Sequence, residues 1–145
     1  MDIQIDDTDR TLLALLAENA RLPVATLARR LGLARSTAQA RLDRLEQSGV
    51  IAGYALRLGA QARAPLRATA LLQIEPRSGP TVLARLKSLV QVGRVHTTSG
   101  RFDLIVEVTA RTTEELDETL DRIIEAKGVR SSESLIHLST KLDRG

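Results

Sequence analysis

Apolar positions in the first third of the chain recur with helical spacing in three short blocks. Leu12, Leu13 and Leu16 form one stripe and predict a helix over residues 8–18. Asp6, Asp7 and Asp9 suit the positive end of its dipole. Asn19-Ala20-Arg21-Leu22 breaks the pattern, and Pro23 suits the first position of a second helix over 24–31, burying Leu27, Ala28 and Leu31. Gly32 can adopt the left-handed conformation that ends a helix, and Leu33 can plug the core. A third helix is predicted over 35–47, with Ala38, Leu42 and Leu45 inward and Ser36, Thr37, Gln39, Ala40, Asp43, Arg44 and Gln47 outward. Gly49 ends it, and an extended segment follows over 50–58.

Residues 59–67 have no clear period, contain Pro65 and read as a linker. Beyond it a strand is predicted over 68–75, stopped by Pro76. Ser78-Gly79-Pro80 opens a helix to about Val90, with Val82, Leu83, Leu86 and Leu89 on one face. A strand over 92–98 leads to a tight turn at Ser99-Gly100-Arg101. Residues 102–109 then alternate, with Phe102, Leu104, Val106 and Val108 on one face and Asp103, Ile105, Glu107 and Thr109 on the other. Thr112-Thr113-Glu114-Glu115 is a capping-box pattern. It starts a helix bearing Leu116, Leu120, Ile123 and Ile124, ended by Gly128, and residues 129–142 are extended. The order β-α-β-β-α-β predicts an α+β, ferredoxin-like sandwich with its helices on one sheet face. The domain division is 1–58, a linker at 59–67, and 68–145. Pairing two such sheets across a dimer would cover the other face.

Composition narrows the chemistry. Among 145 residues the aromatics are only Tyr54 and Phe102, so the core must be Leu, Ile, Val and Ala. Such small cores are marginal alone, which favours homo-oligomers. With no cysteine, disulfides and Cys-type zinc sites are excluded. No apolar run approaches the ~20 residues of a membrane helix, and the acidic start (Met1 to Asp7) lacks a signal peptide's basic region. A cytoplasmic protein without a membrane partner is expected. The net charge is +3, but residues 21–63 hold eight Arg (21, 29, 30, 35, 41, 44, 57 and 63) against Asp43 and Glu46, a local balance of +6. That excess suits a polyanion; on charge alone a solvated Arg-rich face explains it equally well.

Two short helices joined by a glycine-containing turn, the second polar and basic outside, match a helix-turn-helix. A helix fits the major groove of double-stranded DNA, where polar side chains reach base edges. The candidate DNA contacts are Arg35, Ser36, Thr37, Gln39, Ala40, Arg41 and Arg44. Gln39 suits an adenine edge, and Arg35 or Arg44 suits guanine or phosphate. Arg41 lies beside the buried stripe, and an intra-domain salt bridge with an acidic neighbour such as Glu46 is an equally good reading. A three-helix bundle serving protein contacts is the competing account of the whole segment.

The ordered motifs add a resemblance. Ile5-Asp6-x-x-Asp9, Asn19-Ala20-Arg21, Leu27-Ala28 with Gly32-Leu33, and Arg41-Leu42-x-Arg44-Leu45-Glu46-x-x-Gly49-Val50-Ile51 are similar to successive signatures of the Lrp/AsnC (leucine- and asparagine-responsive) regulators. Ser99-Gly100-x-x-Asp103 resembles that family's "TGxxD", and Ser132-x-Ser134 falls where its "TxT" lies. The resemblance implies a winged helix-turn-helix joined to a ferredoxin-like effector domain. It implies dimers that often build tetramers or octamers, imperfectly palindromic DNA sites, and a response to amino acids or related metabolites. Ala34 departs from the family's usual Ser at the start of the recognition helix and offers no capping oxygen. Ser36 and Thr37 lie near enough to compensate.

For the effector the candidate is the turn Gly100, Arg101, Phe102 and Asp103, completed by Ser132 and Ser134 from the last strand, between subunits. Asp103 suits an ammonium group, and Arg101 or backbone amides suit a carboxylate. A plain hairpin turn, with the Asp bonded to its own backbone, is the alternative. His96 and His137 are too few for a metal site, and no cofactor is expected. Glu114, Glu115, Asp117 and Glu118 read as a solvated helix N-terminus. No nucleophile motif, phosphate loop or carboxylate pair stands out, so no enzyme is expected. Some proteins resembling this family decarboxylate sirohaem, which keeps an enzyme as the first rival. An assembly or ligand-binding module whose helix-turn-helix has lost DNA is the second.

Overall fold

Three helices form the N-terminal part of the computed structural model, which describes residues 3–62 and 66–144. Helix α1 (Asp7–Glu18) begins on a capping box: Asp6 accepts from the Asp9 backbone N–H at 2.8 Å, and Asp9 accepts from that of Asp6 at 3.2 Å. Asn19 then folds into a local turn, its side-chain oxygen accepting from the Arg21 N–H at 3.0 Å. Helix α2 (Val24–Leu31) is capped by Pro23, which stands just before the first helical position rather than on it. Gly32 takes the left-handed conformation (φ 67°), and the Leu33 N–H reaches back to the Ala28 carbonyl at 2.9 Å, closing the helix end. Helix α3 (Arg35–Gln47) follows directly, with Ala34 as a cap without a side-chain bond. Leu12, Leu16, Leu27 and Leu45 form the buried centre, and Leu42, Val50 and Ile51 pack against it.

The predicted extended segment over 50–58 has no partner strand among the described residues. Val50 and Ile51 close the core, whereas Tyr54 and Leu56 are exposed. An extended run needs a neighbour to satisfy its backbone, and the described residues of this unit offer none.

Residues 1–57 and 58–145 are two compact units. Of the expected linker, residues 63–65, including Arg63 and Pro65, lie outside the described residues, as do Met1 and Asp2 of the acidic start. The second unit runs β1 (Leu66–Ile74), α4 (Gly79–Lys87), β2 (Val92–Thr97), β3 (Leu104–Ala110), α5 (Thr113–Ile124) and β4 (Val129–Ile136). The sheet order is β2-β3-β1-β4, every neighbouring pair antiparallel. This is the predicted βαββαβ order with moved boundaries. Strand β1 starts inside the expected linker. Strand β3 excludes Phe102 and Asp103. Strand β4 stops at Ile136 rather than near Leu142, its ladder on β1 closing at Ala68 opposite Ile136 with a last bond from His137 to Arg67.

Ala68, Ala70 and Leu72 of β1 and Leu104, Val106, Val108 and Ala110 of β3 are buried with Val82 and Leu86 of α4 and Leu116 and Ile123 of α5. Helix α5 is started by Thr112, whose hydroxyl accepts from the Glu115 N–H, while the Glu115 carboxylate accepts from the Arg111 N–H. That backbone bond, with one from Gln91, holds the Glu115 carboxyl below its usual range. The opposite sheet face presents Leu71, Ile105 and Leu135 among Arg94, His96, Glu107 and Glu133, all partly or largely exposed.

Candidate nucleic-acid interface and effector site

Helix α3 turns Ala38 and Leu45 inward and leaves Arg35, Ser36, Thr37, Gln39 and Ala40 exposed on successive turns. Gln39 donates through Nε2 to Asp43 Oδ1 at 2.7 Å, one turn further on. This polar, sterically open surface starts immediately after the α2–α3 turn, where a groove-inserted helix meets base edges.

Arg41 and Arg44 behave differently from the other expected DNA contacts. Arg41 Nη1 donates to both Asp6 oxygens at 2.7 and 2.9 Å and to Asp9 Oδ1 at 2.9 Å. Arg44 Nη2 donates to Asp9 Oδ2, and its Nη1 to the Gln4 carbonyl at 3.3 Å. The partners of Arg41 are therefore Asp6 and Asp9, not Glu46, whose charge instead lies against the Tyr54 phenol and, after burial, helps push it up. Asp9 has no solvent exposure. Burial raises its carboxyl, but the bonds from Arg44, Arg41 and the Asp6 N–H outweigh that and hold it at about 2. Asp6 is held low by the Asp9 N–H and by Arg41, and Arg41 is raised in return by Asp6 and Asp9. In the sequence both aspartates stood for the helix dipole and for the Ile5-Asp6-x-x-Asp9 signature, with no ion-pair role. The overlooked signal is a matched spacing: acids three apart at the cap and first turn of α1, and arginines three apart on α3.

The effector candidate is a compact turn between β2 and β3. The Thr98 N–H donates to the Asp103 carbonyl at 3.0 Å, with Gly100 at φ 109° between them. Asp103 does not bond its own turn. Its Oδ2 accepts from the Ile74 N–H at 2.9 Å, where the β1–β4 register shifts and Ile74 needs a partner. Gln73 links the turn to β4: its Nε2 donates to the Arg101 carbonyl and its Oε1 accepts from Ser131 Oγ, both at 2.7 Å. The Arg101 guanidinium stands 4.9 Å from the Phe102 ring centroid and 3.7 Å from Glu133.

Ser132 and Ser134 do not join this cluster within one chain. Their register partners are Leu72 and Ala70, which places them on the helix-covered face. Side chains alternate along a strand, so Ser131 and Glu133 are the β4 residues that reach the turn. Ser132 Oγ is buried and has no hydrogen-bond partner among the described residues.

His96 is exposed on β2, and His137 bonds to the Thr69 hydroxyl at 2.8 Å. Among the described residues no group of three or more His, Cys, Asp or Glu could hold a metal ion, and no helix is long and apolar enough to cross a membrane.

A helix-turn-helix with an exposed polar second helix, followed by a four-stranded antiparallel sheet backed by two helices, defines a regulator with separate DNA-binding and ligand-binding units. The family model for winged helix-turn-helix DNA-binding matches residues 5–52, and that for the Lrp/AsnC ligand binding domain matches residues 68–145. The chain belongs to the Lrp/AsnC family of transcriptional regulators. It is 30% identical over 138 residues to the regulator LrpA of Mycobacterium tuberculosis, covering 94% of this chain and 92% of that one. Among solved structures, E. coli AsnC superposes with a TM-score of 0.89 at 27% identity, over 99% of this chain and 98% of the other. The feast or famine regulatory protein of M. tuberculosis, solved with L-methionine, gives 0.84 at 32% identity, over 97% and 96%.

Proposed function

We propose that this regulator reads duplex DNA with the exposed face of α3, through Arg35, Ser36, Thr37, Gln39 and Ala40, and that Arg41 and Arg44 position the helix. The carrying observation is the division of α3: its polar N-terminal turns are open, while its two later arginines are committed to Asp6 and Asp9. The effector is an amino acid or a related small metabolite, held at the turn Gly100–Asp103, and the protein acts as a cytoplasmic regulator rather than as an enzyme. A relative carrying L-methionine supports the ligand class. At the turn, the exposed Asp103 carboxylate suits an ammonium group, and Arg101, seated on Phe102, suits a carboxylate. Ser131 and Glu133 replace Ser132 and Ser134 as the last strand's contribution from the same chain. The half-apolar sheet face around Leu71, Ile105 and Leu135 pairs with that of a second copy, and dimers are the unit from which tetramers or octamers build.

The test is binding of the purified protein to its own upstream DNA across several salt concentrations, with and without a pool of amino acids. Saturable, salt-sensitive binding that outcompetes random duplex supports the DNA reading. A response to the pool that disappears in Asp103→Ala supports the effector site. An equal affinity for random DNA under all conditions refutes autoregulation by this helix.

A further inference from the structure

Three ion pairs join the start of α1 to α3. Two carboxylates one turn apart at the start of α1, Asp6 on its cap and Asp9 in its first turn, face two guanidinium groups one turn apart on α3, Arg41 and Arg44, and Asp9 is fully buried between them. The Arg44 side chain itself is 44% exposed and borders an open groove beside Ala40, Asp43 and Gln47 on the outer side of the same helix. Released, its guanidinium has room to swing toward an approaching polyanion. Held, its charge is neutralised by a carboxylate that solvent and salt cannot reach.

We propose that Asp9 is a specificity-determining residue: it withdraws the Arg44 cation from phosphate binding, lowering sequence-independent affinity so that the exposed face of α3 decides where the protein binds. The inference rests on the DNA reading of α3. The physics is additive. Every Lys or Arg that neutralises a phosphate strengthens binding to any duplex equally and steepens its salt dependence by about 0.9 in the log–log slope. A cation placed on the reading helix but held back removes one such contact from all sequences. Base contacts by Gln39 or Arg35 are then a larger share of the total. Arg41 stays paired when Asp9 is neutralised, because both Asp6 oxygens also hold it.

The experiment measures binding of the full chain to a random duplex between about 50 and about 200 mM salt, for the unaltered protein, Asp9→Asn, and Asp9→Asn combined with Arg44→Gln. Asp9→Asn is expected to steepen the slope by about 0.9, so that the affinity ratio across this range grows about 3.5-fold. The double variant is expected to return to the original slope. Asp7→Asn is the charge control. Asp7 is solvent-exposed near the same helix end and only 3.9 Å from Arg10, so its loss changes net charge without opening the clamp. An unchanged slope in Asp9→Asn, or an equal steepening in Asp7→Asn, overturns the proposal. Where Asp9→Asn does not fold, Arg44→Gln alone decides: the slope holds if Asp9 sequesters Arg44, and a fall of about 0.9 shows that Arg44 already contacts phosphate and overturns it. Unaltered protein that shows no salt-dependent binding at all refutes the DNA reading itself, and with it the clamp.

Discussion

Asp9 is a fully buried charge that ties α1 to α3 in the N-terminal unit. Its carboxyl is held at about 2 by Arg44, Arg41 and the Asp6 N–H against the opposing effect of burial. Because the folded value lies below the unfolded one of ~3.9, the stabilisation is complete above that value and disappears as pH falls through about 2. Acid unfolding followed by far-UV circular dichroism should therefore show a loss of α1–α3 stability below pH ~4 that is smaller in Asp9→Asn, where only Asp6 still contributes. At neutral pH, Asp9→Ala should cost about 2–4 kcal/mol, because two guanidinium groups lose their buried partner; urea denaturation measures it. Gly128 is the equivalent fixed point of the second unit. Its φ is 99°, and an added Cβ would lie 2.6 Å from that of Ser78, so Gly128→Ala should destabilise by about 1–3 kcal/mol. Residue-scale roles were the least legible part of the sequence. Arg41 and Arg44 are as basic as Arg35, and only the folded α1 reveals that they are taken. Ser132 and Ser134, expected to act between subunits, face away from the turn of their own chain, and a strand's phase follows from register that composition does not show.

Elements were far more legible, because their signals are local. The apolar stripe of α1, the Gly32 stop and the Thr112 cap each depend on residues within one or two turns. The errors fall where an element's end depends on a distant partner. Strand β4 ends where β1 ceases to pair with it, and the segment after Ile51 has no strand beside it among the described residues. Ala34 is a local signal with a local consequence. Its backbone already has the extended cap geometry (φ −66°, ψ 148°) but lacks an oxygen for the orphan N–H groups of α3. Ala34→Ser should therefore stabilise the protein by about 0.5–1 kcal/mol, read as a rise in Tm.

For the whole molecule, the two-unit order was legible from the change in period between a helical first third and a βαββαβ remainder. Assembly was less so, since the outer sheet face is neither fully apolar nor fully polar. Leu71, Ile105 and Leu135 sit among Arg94, His96, Glu107 and Glu133, and the proposed pairing of this face with a second copy is what a substitution on it tests. Ile105→Asp should shift the protein toward monomer in light scattering while leaving the helix-side core, and hence far-UV circular dichroism, intact.

The central proposal for this molecule is that the exposed turns of α3 read base edges. Gln39→Ala isolates that claim, since the residue is exposed and its side chain bonds to Asp43 on its own helix. The affinities of this variant and the unaltered protein for the upstream fragment and for random duplex should be compared at one salt concentration. The account predicts a loss of about 1–3 kcal/mol on the specific fragment with random binding unchanged. An equal loss on both, or no loss on either, would contradict it.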